Sequence, residues 1–285
     1  MGTIVGAALV SHHPGLMQPE DFRIQMGAGQ DSDLVPGFAR LRERINAVEA
    51  DTLVIFDSHW FTTGYHLFDA GEHYSGTYVS DEMPWYLYDQ PYDYRGAPDL
   101  ARLCEDVAAE QNVMGLATAH PLLPRHYATI NVVNAIKAHE RVLTVGTCQN
   151  CKSEHFLESG RVLAEAIRRS DARVVLLASG ALSHKFNGIN WVQKNPRIYD
   201  PENVSSPENV ESDREAIALM EEGRHDVIVD RFPTLYRKIP WEGFGGHYLQ
   251  MIGALGGRDC RAKGETLSEY ENARGTGNIH MWFEV

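Results

Sequence analysis

Three stretches of this 285-residue chain end an apolar run in an imidazole. Thr3 to Val10 leads into Ser11-His12-His13-Pro14-Gly15, and Asp51 to Phe56 leads into Asp57-Ser58-His59-Trp60. Arg173 to Ala178 leads into Ser179-Gly180-Ala181-Leu182-Ser183-His184. Short apolar runs with β-branched residues read as buried strands, and in open α/β sheets ligands gather outside the carboxyl ends of such strands. A single histidine there could simply be held by a neighbouring carbonyl. Three with the same ending are hard to explain as independent core histidines, so His12 and His59 read as two metal ligands. A carboxylate extends the set. Trp241-Glu242-Gly243-Phe244-Gly245-Gly246-His247 opens an apolar helix through Leu255, and Glu242 is there either an N-cap carboxylate or a third ligand. Two imidazoles and a carboxylate with open positions suit Fe(II) oxygen chemistry, and zinc hydrolases use the same set, so ligand type alone leaves the metal open. His184 is then available for acid–base work.

The elements that must position these groups follow from periodicity. After the His12 turn comes a polar, Gly-rich loop from Gln18 to Pro36. Phe38, Leu41, Ile45 and Val48 then recur at helical spacing, which predicts a helix over 37–49. A strand, long loop, helix, strand unit favours parallel pairing of the first two strands, with both imidazole turns at one end of the sheet. Residues 61–94 are aromatic-rich and alternating, fitting short strands and a loop over a pocket. Helices are expected over 98–110, 128–138, 155–169, 212–222 and 224–230. Strands are expected over 141–147, 173–178 and 279–284. Residues 187–211, rich in Asn, Pro, Ser and Glu, read as a surface excursion or lid. No repeat or linker divides the chain, so the expectation is α/β, a mixed but largely parallel central sheet flanked by helices in one domain, 1–285.

Bulk composition narrows the function classes. Lys plus Arg is 26 against Asp plus Glu at 39, a net charge of −13, which argues against a nucleic-acid or anionic-membrane surface. No apolar run reaches the roughly 18 residues a spanning helix needs, and the start lacks the pattern of a signal peptide, so a cytoplasmic protein is expected. Four cysteines make no disulfide framework in a chain of this length. The Cys148-Gln-Asn-Cys151 pair has no second pair, and reads as structural with thiol redox chemistry as the alternative.

The segments SHHPG, FDSHW, SGALSH, WEGFGGH and the closing GTGN resemble, in order, spacing and strand context, the class III extradiol ring-cleavage dioxygenases, the family of the catalytic subunit of protocatechuate 4,5-dioxygenase. The likeness spans nearly the whole chain. Through FDSHW followed by TYVSDEMP, and through SGALSHKF, it is strongest toward the homoprotocatechuate (3,4-dihydroxyphenylacetate) 2,3-dioxygenase branch. The chain is also similar to the large subunit of 2-aminophenol 1,6-dioxygenases. The resemblance implies that His12, His59 and Glu242 bind Fe(II) and that His184 is the acid–base residue; His13 has no ligand role in that pattern and is the fallback. Protocatechuate-type members carry a histidine in an Asp-His-Gly-Thr stretch that aligns with His126-Tyr127-Ala128-Thr129, so Tyr127 replaces it. That departure weakens a protocatechuate or gallate substrate; the alignment gives His126 no role, but Tyr127, His126 and His13 are all candidate substrate contacts. It favours a catechol with a short acidic side chain, for which Arg125 and Arg197 are the candidate partners. The partners implied are a small aromatic substrate and O2, with the chain as a homo-oligomer, with or without a small second subunit.

Overall fold

The computed structural model describes residues 1–285. In chain order it builds β1 (Thr3–Val10), α1 (Glu20–Met26), α2 (Leu34–Ala47), β2 (Thr52–Thr62), β3 (His66–Asp69), β4 (His73–Tyr78) and β5 (Gln90–Arg95). Then come α3 (Pro98–Glu110), β6 (Gly115–Thr118), α4 (Tyr127–Ile136), β7 (Arg141–Cys148), α5 (Ser153–Arg169) and β8 (Arg173–Ser179). The last part holds α6 (Pro207–Glu221), α7 (His225–Arg231), α8 (Leu235–Lys238), α9 (Gly246–Ala254), β9 (Gly264–Thr266), β10 (Glu271–Ala273), β11 (Thr276–Asn278) and β12 (Met281–Phe283). No helix is long and apolar enough to cross a membrane.

Eight strands form one sheet in the order β6-β3-β7-β2-β8-β1-β12-β9. Its centre, β7 to β1, is parallel, and β12 and β9 close one edge antiparallel. Parallel strands are covered on both faces, which is why β8 reads as a nearly continuous apolar run. Alternate residues serve opposite cores. Leu9, Val54, Phe56 and Leu176 pack with Phe156 and Leu157 of α5 and Tyr248 of α9, whereas Val10, Leu53, Ile55 and Leu177 pack with Phe38 and Leu41 of α2 and Ile130 of α4.

Two expectations need correction. β1 and β2 are parallel but do not pair with each other, because β8 lies between them and pairs with both. The register aligns their ends all the same, since Val10 and Asp57 both sit opposite Ser179. Second, His59 is not at a strand end: β2 runs on to Thr62, and its register against β7 is broken between Phe56 and Phe61. The cause is local. Asp57 Oδ1 accepts the backbone N–H groups of His59 and Trp60 at 2.8 and 2.9 Å, taking donors the ladder would use and throwing this segment out as a bulge.

Smaller differences have similarly local reasons. The stretch read as a loop contains α1, and α6 begins at Pro207 because Ser206 caps it, accepting from the Asn209 N–H. The Gly-Thr-Gly-Asn stretch is half of a two-stranded hairpin, β10–β11, turning through Arg274 and Gly275 at φ +55° and +105°. The hairpin β4–β5 carries between its strands the loop 79–89 that leans over the sheet's carboxyl end. The CxxC thiols are free, and burial pushes Cys151 up to about 12, which fits a structural pair.

Candidate metal centre and cavity

His12 leaves β1 beside the end of β8, and its main chain is held from below. Asn131 Nδ2 of α4 donates to the carbonyls of His12 and His13 at 2.8 and 3.2 Å, while Ser11 is tied to Asn278 and His280. His59 is presented by the Asp57 bulge, which Thr129 Oγ1 secures from α4 by donating to Asp57 Oδ2 at 2.6 Å. Glu242 sits on a turn in which Gly243, Phe244 and Gly245 all have positive φ (53°, 61° and 71°). Glycine is required at both its positions here: a Cβ on Gly243 would meet Ser58 at 3.0 Å and one on Gly245 would meet Phe232 at 2.1 Å. The same turn is stitched to the His184 segment, since His184 N donates to the Pro240 carbonyl and Ser183 bridges Trp241.

These segments converge. One ligand-capable atom from each of His12, His59 and Glu242 lies within 4.8 Å of the others. Glu242 Oε1 is 3.1 Å from His12 Nε2 and 2.8 Å from His59 Nε2. Glu242 Oε2 accepts the Ala181 N–H, which leaves Oε1 for the imidazoles. The His59 Nε2 atom, although buried and close to that oxygen, makes no aligned hydrogen bond. Metal bonds of about 2.0–2.2 Å put ligands on one face of an octahedron about 3 Å apart, so the donor set and the orphaned nitrogen fit a bound cation. Electrostatics agree. Burial opposes charge on His59, but its pairing with Glu242 and Glu82 raises its pKa to about 10, so positive charge between these groups is favoured. Glu242 is buried, yet His12 and His184 beside it hold its carboxyl well below the usual range.

His12 and Glu242 of this cluster line the floor of a cavity of about 480 Å³. His184 lines it with Nε2 3.8 Å from Glu242 Oε1, outside the ligand cluster, and burial lowers its pKa. Tyr127 also lines it, 4.3 Å from the His59 ring and 5.4 Å from that of His12, and burial keeps its phenol protonated. His13 faces the same cavity with Nε2 unpartnered, its pKa lowered to about 3 by burial and by His12. His126 is placed differently: it lines a separate small pocket with Asp57, Trp60 and Thr129. Neither expected arginine reaches the cavity. Arg125 is paired with Asp69 over the Tyr74 ring, and Arg197 Nη2 is 2.6 Å from Glu271 Oε1.

Four residues were not singled out from sequence. Glu82 Oε1 stands 3.0 Å from His59 Nδ1, and Ser179 Oγ stands 2.9 Å from His12 Nδ1. Asp57 supports the His59 bulge, and its spacing two residues before a histidine is the one signal that could have marked it. Arg274, at the hairpin turn, lines the cavity.

Comparison with known proteins gives consistent relatives. The family model described as the catalytic LigB subunit of aromatic ring-opening dioxygenase matches residues 6–284. The chain is 26% identical over 259 residues to a 3,4-dihydroxyphenylacetate 2,3-dioxygenase of Escherichia coli, covering 90% of this chain and 91% of that one. It is 24% identical over 289 residues to a 2-aminophenol 1,6-dioxygenase beta subunit of a Pseudomonas species, covering 97% and 92%. A crystal structure of an uncharacterized protein from Escherichia coli K12 shares the fold, with a TM-score of 0.63 at 18% identity over 98% of this chain and 99% of that one.

Proposed function

Because the chain belongs to the family of the catalytic LigB subunit of aromatic ring-opening dioxygenases, we propose that it is a non-haem Fe(II) enzyme that cleaves a catechol next to its diol, with 3,4-dihydroxyphenylacetate-like compounds as substrates. The observation that carries this reading is the convergence of His12 Nε2, His59 Nε2 and Glu242 Oε1 under a cavity of aromatic-substrate size. These three would hold Fe(II), which would supply the electron transfer between a catechol and O2 that ring cleavage needs. Both atoms of O2 end in the ring-opened product.

The chain's own groups supply position and protons. His184, within the cavity and with its pKa lowered by burial, accepts a proton at a ring nitrogen as the catechol ionises and returns it as the ring opens. Tyr127, a neutral phenol against the His12 and His59 rings, donates a hydrogen bond to oxygen at that edge of the substrate. His13 presents an unpartnered nitrogen to the same space and is a further substrate contact; His126, beyond the lining, is left without such a role. The loop 79–89 covers the ring with Met83 and Tyr86 and limits water.

The similarity to the 2-aminophenol enzyme's beta subunit supports a second reading, cleavage of a 2-aminophenol, with a second subunit as partner. Oxygen uptake by the Fe(II)-loaded protein with 3,4-dihydroxyphenylacetate, protocatechuate and 2-aminophenol tests both. The catechol acid is expected to turn over fastest. Faster turnover of 2-aminophenol selects the second reading, and O2-independent activity with Zn(II) alone would point to a hydrolase.

A further inference from the structure

The cavity is lined by a single permanently cationic side chain. No lysine and no arginine other than Arg274 contributes to it. Arg274 forms no ion pair with a carboxylate of the chain, whereas Arg125 and Arg197, the other arginines near this face, are neutralised by Asp69 and Glu271. The cavity's own carboxylates are likewise engaged, Glu242 with His12 and His59 and Glu82 with His59.

The backbone under Arg274 is unusual for its residue type. It occupies the first left-handed position of the β10–β11 turn at φ +55°, followed by Gly275 at φ +105°. Asn, Asp or Gly are the residues such a turn favours, so an arginine is held here against local preference. The hairpin itself is firmly placed. Asn272 Oδ1 accepts the Gly275 N–H at 2.7 Å, and the Arg274 carbonyl accepts the Asn187 N–H at 2.9 Å. Arg274 is exposed, which puts it at the rim of the cavity, while His12 and Glu242 are buried at its floor. Its charge reaches the Tyr86 hydroxyl, whose pKa burial raises and Arg274 pulls back. Tyr86 and His13 share that wall, since a Cβ on Gly15 between them would lie 3.0 Å from His13 Nδ1 and 3.6 Å from Tyr86 Oη.

From this placement we infer that Arg274 is a specificity-determining residue that pairs with an anionic substituent on the aromatic substrate, held at the cavity rim while the reacting edge of the ring faces His12 and Glu242. The inference rests on the ring-cleavage reading. A planar guanidinium without an internal partner suits a carboxylate on a short side chain, and partial exposure leaves that pairing sensitive to salt.

The test compares wild type with Arg274→Asn, which keeps a residue at home in the left-handed turn, and with Arg274→Lys, which keeps charge without the fork. The ratio of kcat/KM for 3,4-dihydroxyphenylacetate to that for 4-methylcatechol should fall at least about 10-fold in Arg274→Asn and less in Arg274→Lys. An unchanged ratio in Arg274→Asn overturns the inference. Calorimetric binding of 4-hydroxyphenylacetate, which lacks the second hydroxyl, provides a readout independent of turnover. Tighter binding by wild type than by Arg274→Asn supports the anion subsite even if neither catechol is cleaved, an outcome that would sink the ring-cleavage reading alone. Equal binding by the two proteins counts against the subsite.

Discussion

Ser179 Oγ gives its only proton to the Ala128 carbonyl at 2.8 Å and lies 2.9 Å from His12 Nδ1. The serine must therefore accept at its other contact, so His12 carries a proton on Nδ1, which makes Nε2, beside Glu242, the nitrogen available to a metal. Glu82, a pure acceptor when ionised, does the same for His59 at 3.0 Å. Both imidazoles of the candidate metal centre are thus oriented by partners outside it, the arrangement in which ring orientation and tautomer are fixed together.

Removing that serine leaves the ligands but loosens one of them. Ser179→Ala should weaken metal binding by about 10–100-fold. Competition against a chelator measures it, and an unaltered affinity would remove Ser179 from the tautomer argument.

Glu242 is the anionic member of the cluster and is fixed by the Ala181 N–H on its second oxygen. Glu242→Ala should purify with little iron, because two neutral imidazoles remain without a carboxylate to offset the metal's charge. Full iron content by elemental analysis, with normal activity, would exclude this residue from the site.

His184 stands 3.8 Å from Glu242 Oε1 and belongs to the cavity wall. Its replacement by Phe should leave metal content unchanged and lower turnover by about 10²–10⁴-fold, the usual loss for an acid–base group. Loss of iron instead would mark it as a ligand and break the assignment of the triad.

Stability should respond to acid through His280. Its Nδ1 accepts the Ser11 N–H and its Nε2 donates to the Leu34 carbonyl, and burial lowers its pKa from 6.5 to about 3. The unfolded chain takes up a proton that the folded chain refuses, so this contribution is complete well above pH 6.5 and is lost as the pH falls toward 3. Between pH 7.5 and 5.5 the loss is about 1.4 kcal/mol. Urea unfolding at the two pH values should show a drop smaller by that amount in His280→Asn. An equal drop in both proteins would show that this ring does not titrate on unfolding.

Much of the site was legible in the sequence because the strands that carry it are buried on both faces. Such strands must be continuous apolar runs, so the points where β1, β2 and β8 yield to polar residues stand out at His12, His59 and Ser179 to His184. The Gly-rich turn marked Glu242 for a similar reason, since the left-handed turn that follows it uses glycine at two of its three positions, Gly243 and Gly245. What tertiary structure decided depends on partners far apart in the chain. That β8 separates β1 from β2, that Asp57 turns a strand end into a bulge, and that Ser179 and Glu82 choose the tautomers are pairings no local pattern encodes. The arginines make the same point: Arg125, Arg197 and Arg274 carry the same charge in the sequence, but Asp69 and Glu271 neutralise the first two and the fold delivers the third, unpaired, to the cavity rim.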